Sequence, residues 1–239
     1  MTVLAPPTSC RPHDPITIQH LECLRIALDF QDPFDVAVYA LACLTFWSQA
    51  HLGELTFDDA FNPLIHIVHS SLVCGLTASN RQYGKCWLPH TKTKPHGDWL
   101  LYMDSQCTCS AHRALLFHLL INACLLKNLP LFVFETLNGG WSLMRKAWFL
   151  TRCRHAWSSH FPSPILSYSF CIGGMTHLLL LSVDPFIVMV QGRWSSNPFL
   201  AYWRNCEEIV PLFIGFSLDS HSSILMTMSH FKDRLLNRN

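Results

Sequence analysis

The stretch DPFDVAVYALACLTFWSQAHLGELT, residues 32–56, does most to limit what this chain can fold into. It is apolar on nearly every side of a helix, and a helix without a polar face has to be surrounded by other elements. Asp32 ahead of Pro33 is a strong helix start, because a capping carboxylate accepts a free backbone N–H and proline fits the first turn. The pattern therefore predicts a central, buried helix running to Gly53. A chain of 239 residues is long enough to enclose it in one main domain.

The other segments supply the surroundings. In TIQHLECLRIALDF, Ile18, Leu21, Leu24 (or Cys23), Ala27 and Leu28 share one face behind Thr17 as a cap, which predicts a short amphipathic helix. Residues 64–76, 82–89 and 99–103 are β-rich and separated by TASNR and TKTKPHGD, which predicts a small three-stranded antiparallel sheet. Helical patterns follow at 112–127, 141–157, 173–182, 185–191 and 198–205. The expected fold class is α+β, mainly α. The Pro- and Thr-rich residues 1–15 read as a flexible leader without the features of a secretory signal, and residues 216–239 as a tail helix. Two apolar runs, ALLFHLLINACLL and HLLLLSVDPFIVMV, fall short of the roughly 20 uninterrupted residues of a membrane span. They predict buried helices and no membrane partner.

Composition narrows the function classes. Only 14% of residues are charged, against roughly a quarter in an average domain, and the net charge is +1. Tight nucleic-acid binding rests on many cations meeting phosphates, so the overall balance gives no drive toward it. The 11 cysteines, an odd number without a signal peptide, predict reduced thiols inside the cell. Cys107, Cys109 and His112 in CTCSAHR, and His66 and His69 in HIVH, lack the second ligand pair of a structural zinc site, so no metal is expected. Arg145, Lys146, Arg152, Arg154 and His155 in RKAWFLTRCRHAW are either a DNA-backbone face or the polar side of a packed helix.

Four ordered motifs carry a family likeness: the 32–56 stretch, LPHTKTKPHGD, SYSFCIGGMTHLLL and GRWSSNPFLAYWRNCEEI. Together, over residues 15–215, they resemble the catalytic domain of tyrosine recombinases, the phage-integrase-type DNA breaking and rejoining enzymes, in the form carried by eukaryotic mobile elements. The domain so implied spans residues 16–215. In such enzymes a tyrosine hydroxyl attacks a DNA phosphodiester, forming a phosphotyrosyl link that a second strand later reverses. Bond energy is kept, so no cofactor is implied, and no small-molecule substrate. The partners implied are duplex DNA and further copies of the protein on that DNA, in the nucleus.

Carried over position by position, the likeness places the nucleophile at Tyr202, the His-or-Trp position at Trp194 and the hairpin lysine at Lys92, with Lys94 competing. Arg193 in GRW joins the cations implied to touch DNA. Three positions depart from the pattern. His51 stands where the family has an arginine before Gly-Glu, and Tyr168 and Cys171 stand where it has a histidine and a second arginine before Ile-Gly-Gly. Each lost donor to a developing oxyanion costs about 2.7–4 kcal/mol. The resemblance thus implies a recombination or integration protein by descent that has lost the reaction. The alternatives are a non-catalytic DNA- or protein-binding module, or a relic of a mobile element. Arg to His, His to Tyr and Arg to Cys can each arise from one C-to-T change, which would fit decay by cytosine deamination.

Overall fold

A computed structural model describes residues 14–91, 94–122, 129–161, 165–194, 209–210 and 212–213. Among them are seven α-helices, a three-stranded antiparallel sheet and a two-stranded hairpin, a mixed α/β arrangement dominated by helix. No helix among these residues is long and apolar enough to cross a membrane. The leader through residue 13, the expected helix at 198–205, the tail helix and the positions Lys92 and Tyr202 lie outside the described residues.

The spine is α2, Pro33–Ser48, and all but three of its 16 residues are buried. Its start is the one expected, with the Asp32 carboxylate accepting the Phe34 N–H at 2.9 Å. Its end is not. The helix stops at Ser48 because Gln49 turns left-handed (φ 55°), and a separate short helix α3, Leu52–Leu55, follows with His51 as its cap residue. The amphipathic helix α1, Ile18–Ala27, lies against α2 with Leu21 and Leu24 buried.

The sheet consists of β1 (Leu72–Leu76), β2 (Gln82–Leu88) and β3 (Asp98–Met103) in sequence order. Its inner face sets Cys86 opposite Leu100 against the core, whereas Val73, Trp99, Leu101 and Met103 face outward. Residues 64–71, expected as part of the first strand, instead form turns and a 3₁₀ segment, His69–Ser71. Helix α4, Ala111–Ile121, then packs along α2.

The region 141–157 needs a further correction. Trp141–Leu143 is a strand, β5, paired with Val133–Glu135, β4, and only Lys146–Trp157 is the helix α5. Helix α6, Tyr168–Leu180, begins five residues before the expected start, and α7, Pro185–Gln191, falls where expected.

Two glycines let α6 reach the spine. A Cβ on Gly174 would stand 1.8 Å from the Phe46 carbonyl oxygen in α2, and one on Gly173 would stand 2.1 Å from the Ile16 oxygen. Both obstacles are backbone, so a side chain can be accommodated only if the helices separate. We expect Gly174→Ala to cost about 3 kcal/mol, the upper end of ordinary overpacking, read as a thermal midpoint lowered by about 6–12 °C. An unchanged midpoint would show that α6 does not ride on α2.

Where α4 ends, a polar knot ties three elements together. His118, fully buried, donates from Nε2 to the Leu131 oxygen (2.9 Å), and Asn122 Nδ2 donates to His118 Nδ1 (3.0 Å). The Asn122 amide also donates to Pro33 O at the start of α2 and accepts the Glu135 N–H of β4. With both ring nitrogens engaged and water excluded, burial pushes the imidazole down to about 4. The unfolded chain therefore takes up this proton first as pH falls. Stability is greatest above about 6.5 and is lost through the window from 6.5 to 4. Urea melts should show about 2 kcal/mol less stability at pH 5 than at pH 7 from His118 alone, and His118→Gln should remove that share of the slope, leaving the part contributed by His20, which burial also lowers to about 4. A slope unchanged by the substitution would assign it wholly to other groups.

Candidate functional site

The short helix α3 with its cap residue His51, the turn at Ile65 and His66, the turn between β2 and β3, and the starts of α5 and α6 together border one cleft of about 490 Å³. His51, Glu54, His66, His90, Thr91, Lys146, Ser167 and Tyr168 are among its lining residues. The cleft depends on the early stop of α2. Because Gln49 turns left-handed, the chain leaves the spine and delivers His51 beside the first turn of α6. There its ring meets the Tyr168 ring edge-on, with centroids 6.1 Å apart.

Cys171, one turn into α6, is almost wholly buried beneath this pair. Its thiol donates to the Tyr168 carbonyl (3.2 Å), and Sγ lies 4.0 Å from His51 Nδ1. Burial pushes the thiol up to about 12, so it is neutral and unreactive at physiological pH. His51, Tyr168 and Cys171 thus converge, although 117 residues of sequence separate His51 from Tyr168.

Glu54 is the acceptor hub of the cleft wall. It takes the His51 backbone N–H (2.9 Å) and the Arg193 guanidinium (2.6 Å), the latter in a pair that is nearly closed to solvent. Arg193 Nη1 is buried without a hydrogen-bond partner. Arg193 has φ 60°, and this left-handed turn after α7 carries its side chain toward Glu54. The next residue, Trp194, is not among the cleft's lining residues. It packs with Met175, Leu179, Val188 and Met189 in a small cluster between α6 and α7.

The cations of RKAWFLTRCRHAW divide by position. Arg145 donates to the Asp58 and Asp59 carbonyls (2.7 and 3.0 Å), and Lys146 pairs with the Asp58 carboxylate at the cleft's edge. Arg152 forks onto Asp35, with Nε and Nη2 each 2.7 Å from a carboxylate oxygen. Arg154 donates to the Ile165 carbonyl. All four are engaged within the fold, so the reading as the polar side of a packed helix accounts for their geometry. Lys94 sits on the β2–β3 turn, paired with Asp98 at 2.7 Å.

Glu54, His66 and His90 were not singled out for this cleft by sequence reasoning, though each stands within or beside a quoted motif. Their convergence depends on the β2–β3 turn folding over α3, which no local pattern encodes. Among the described residues, no group of three or more His, Cys, Asp or Glu could hold a metal ion. No protein-family model matches the chain, and no curated protein matches it.

Proposed function

We propose that the chain is a DNA recombination or integration protein by descent, of the tyrosine-recombinase type, and that it no longer breaks DNA. The observation that carries this reading is the meeting of His51 and Tyr168 at one cleft, with Cys171 buried against both and a turn alongside whose Thr91 adjoins Lys92. The motif likeness assigns the same three positions to one phosphate. As they stand, an imidazole, a phenol and a neutral thiol offer no fixed cation to a phosphoryl oxygen, whereas a guanidinium would fork onto two.

The cations of the helix face are bound to internal acceptors, so contacts to DNA are few. Duplex binding is expected to be weak, with Kd on the order of 10⁻⁴–10⁻⁶ M at physiological salt, and to fall steeply as salt rises from 50 to 200 mM. A fluorescence titration at the two salt concentrations tests it. Tight binding that ignores salt would contradict a phosphate-led mode. A second reading, a non-catalytic protein-binding module, draws support from the exposed Trp99, Leu101 and Met103 on the outer sheet face. It would be favoured if duplex DNA showed no affinity at either salt concentration.

A further inference from the structure

The three-stranded sheet has one edge that the described fold leaves open. β3 packs against α2 and α4, whereas β1 packs extensively against β2 alone. Successive residues of an antiparallel strand turn their N–H and C=O to opposite sides. The Asp104 N–H donates to Gln82 O and the Thr77 N–H to Arg81 O, which fixes the alternation: Val73 and Gly75 face β2, so Leu72, Cys74 and Leu76 face outward. The Leu72 N–H is spent on the His69 carbonyl. Among the described residues, the Leu72 carbonyl and the backbone N–H and C=O of Cys74 and Leu76 have no hydrogen-bond partner.

An open strand edge is a template for another strand, and proteins ordinarily blunt it with charge, proline, a bulge or a covering segment. The strand LVCGL has no charged residue and no proline, and it pairs with β2 one-to-one from Leu72↔Cys86 to Leu76↔Gln82, without a bulge. Nor is it covered: Val73 is 41% and Leu76 59% exposed, and Cys74 is an exposed free thiol.

We propose that β1 is a dimerisation edge: two copies of this chain pair it with itself, antiparallel about a two-fold axis at Cys74, into one sheet continuous through both. A second copy is the occupant because the edge is its own complement. With Cys74 opposite its counterpart, each Cys74 N–H meets the other's carbonyl, and each Leu76 N–H meets the carbonyl of the other copy's Leu72, the residue whose own N–H is already spent. On one face the exposed Leu76 then lies across from Leu72, and on the other Val73 lies across from Gly75, which has no Cβ to obstruct it. The strand carries no charge to oppose the approach. The dimer needs no DNA and does not rest on the recombinase reading.

The test is sedimentation velocity of the nuclease-treated full chain in reducing buffer, from about 1 to about 100 µM, over which the mass should rise from that of one chain to that of two. Cys74→Pro removes an N–H that no bond within the described fold uses, and Leu76→Lys sets a charge at each end of the paired strands. Each should weaken the dimer at least about tenfold without changing the far-ultraviolet circular dichroism. Leu76→Lys, at an exposed position, carries the test by itself if proline unsettles the sheet. Leu101→Lys, on the outer sheet face, should leave the dimer intact. Diamide, which takes two electrons and two protons from a pair of thiols, should link the native dimer through Cys74. In a hydrogen-bonded antiparallel pair the Cα atoms stand about 5.5 Å apart, within the roughly 4.4–6.8 Å that a disulfide spans. Cys74→Ser should abolish the linked band and keep the dimer. A single-chain mass at every concentration, or a dimer that Leu76→Lys leaves intact, would overturn the proposal. A dimer that Leu101→Lys dissolves and the edge variants spare would move the contact to the outer face, and a dimer without a Cys74-dependent link would overturn the two-fold axis at Cys74.

Discussion

A nicked suicide DNA substrate should yield no protein-linked band with the native chain, and a Tyr202-dependent band with His51→Arg, Tyr168→His and Cys171→Arg combined. On the recombinase reading, each arginine that the motif pattern calls for and this chain lacks removes about 10²- to 10³-fold in rate, so the two together remove about 10⁴- to 10⁶-fold if independent. The geometry argues that they are not independent. The side-chain atoms of positions 171 and 51 lie 4.0 Å apart, the His51 ring meets the Tyr168 ring, and the Cys171 thiol donates to the Tyr168 carbonyl. Side chains this close act on the same phosphate, and the triple change should exceed the product of the single ones. An arginine at 171 would also come within reach of Glu54, which already holds Arg193. The denaturing gel needs Tyr202→Phe in both backgrounds. A Tyr202-dependent band from the unmodified chain would end the inactive reading, and a revertant band that persists in Tyr202→Phe would move the nucleophile elsewhere.

Asp35→Ala should be the most damaging single substitution for stability among those considered. Asp35 is buried in the first turn of α2, where its two oxygens take both arms of Arg152 and the Asp29 N–H at 2.8 Å. That carboxylate ties α5 and the α1–α2 turn to the spine. The bond to Asp35 holds the Arg152 guanidinium above its usual range, and a guanidinium stays charged at neutral pH even without that partner. Breaking a buried pair from one side costs about 3–5 kcal/mol, and Arg152, at 23% exposure, regains only part of its hydration in place of its partner. For a chain of this size that is a midpoint lowered by about 6–20 °C. Asp35→Leu with Arg152→Met should recover most of the loss, since two apolar groups leave no orphaned charge. A midpoint within about 2 °C of native for Asp35→Ala would mean that the pair contributes little.

What the sequence revealed and what it hid follow from the range of the interactions involved. The spine was legible because burial on all sides and an Asp-Pro start are local signals. Its end was not, since Gln49 carries no glycine-like mark of the left-handed turn it makes. The hairpin β4–β5 escaped because strands of three residues are too short to show a period of two, so Trp141 and its neighbours blended into the helix behind them. The glycine pair at 173–174 suggested a helix start and proved to be a mid-helix contact surface. Arg152 looked like a ligand for DNA because its acceptor lies 117 residues away. His51 and Tyr168 were placed together by motif likeness alone, as no spacing rule links the end of one helix to the start of another.

The contact between Gly174 and the Phe46 carbonyl has a consequence for how this protein can change over generations. Helix α6, whose first residue lines the cleft, is seated on the spine through main-chain atoms at Gly174 and Phe46 that are not part of the cleft lining. Substitutions at 51, 168 or 171 can therefore rewrite the charge and reactivity of the space while its outline stays as it was. If the proposed descent from a DNA-breaking enzyme holds, chemistry at this place can be lost cheaply, and for the same reason three side chains would suffice to attempt its return.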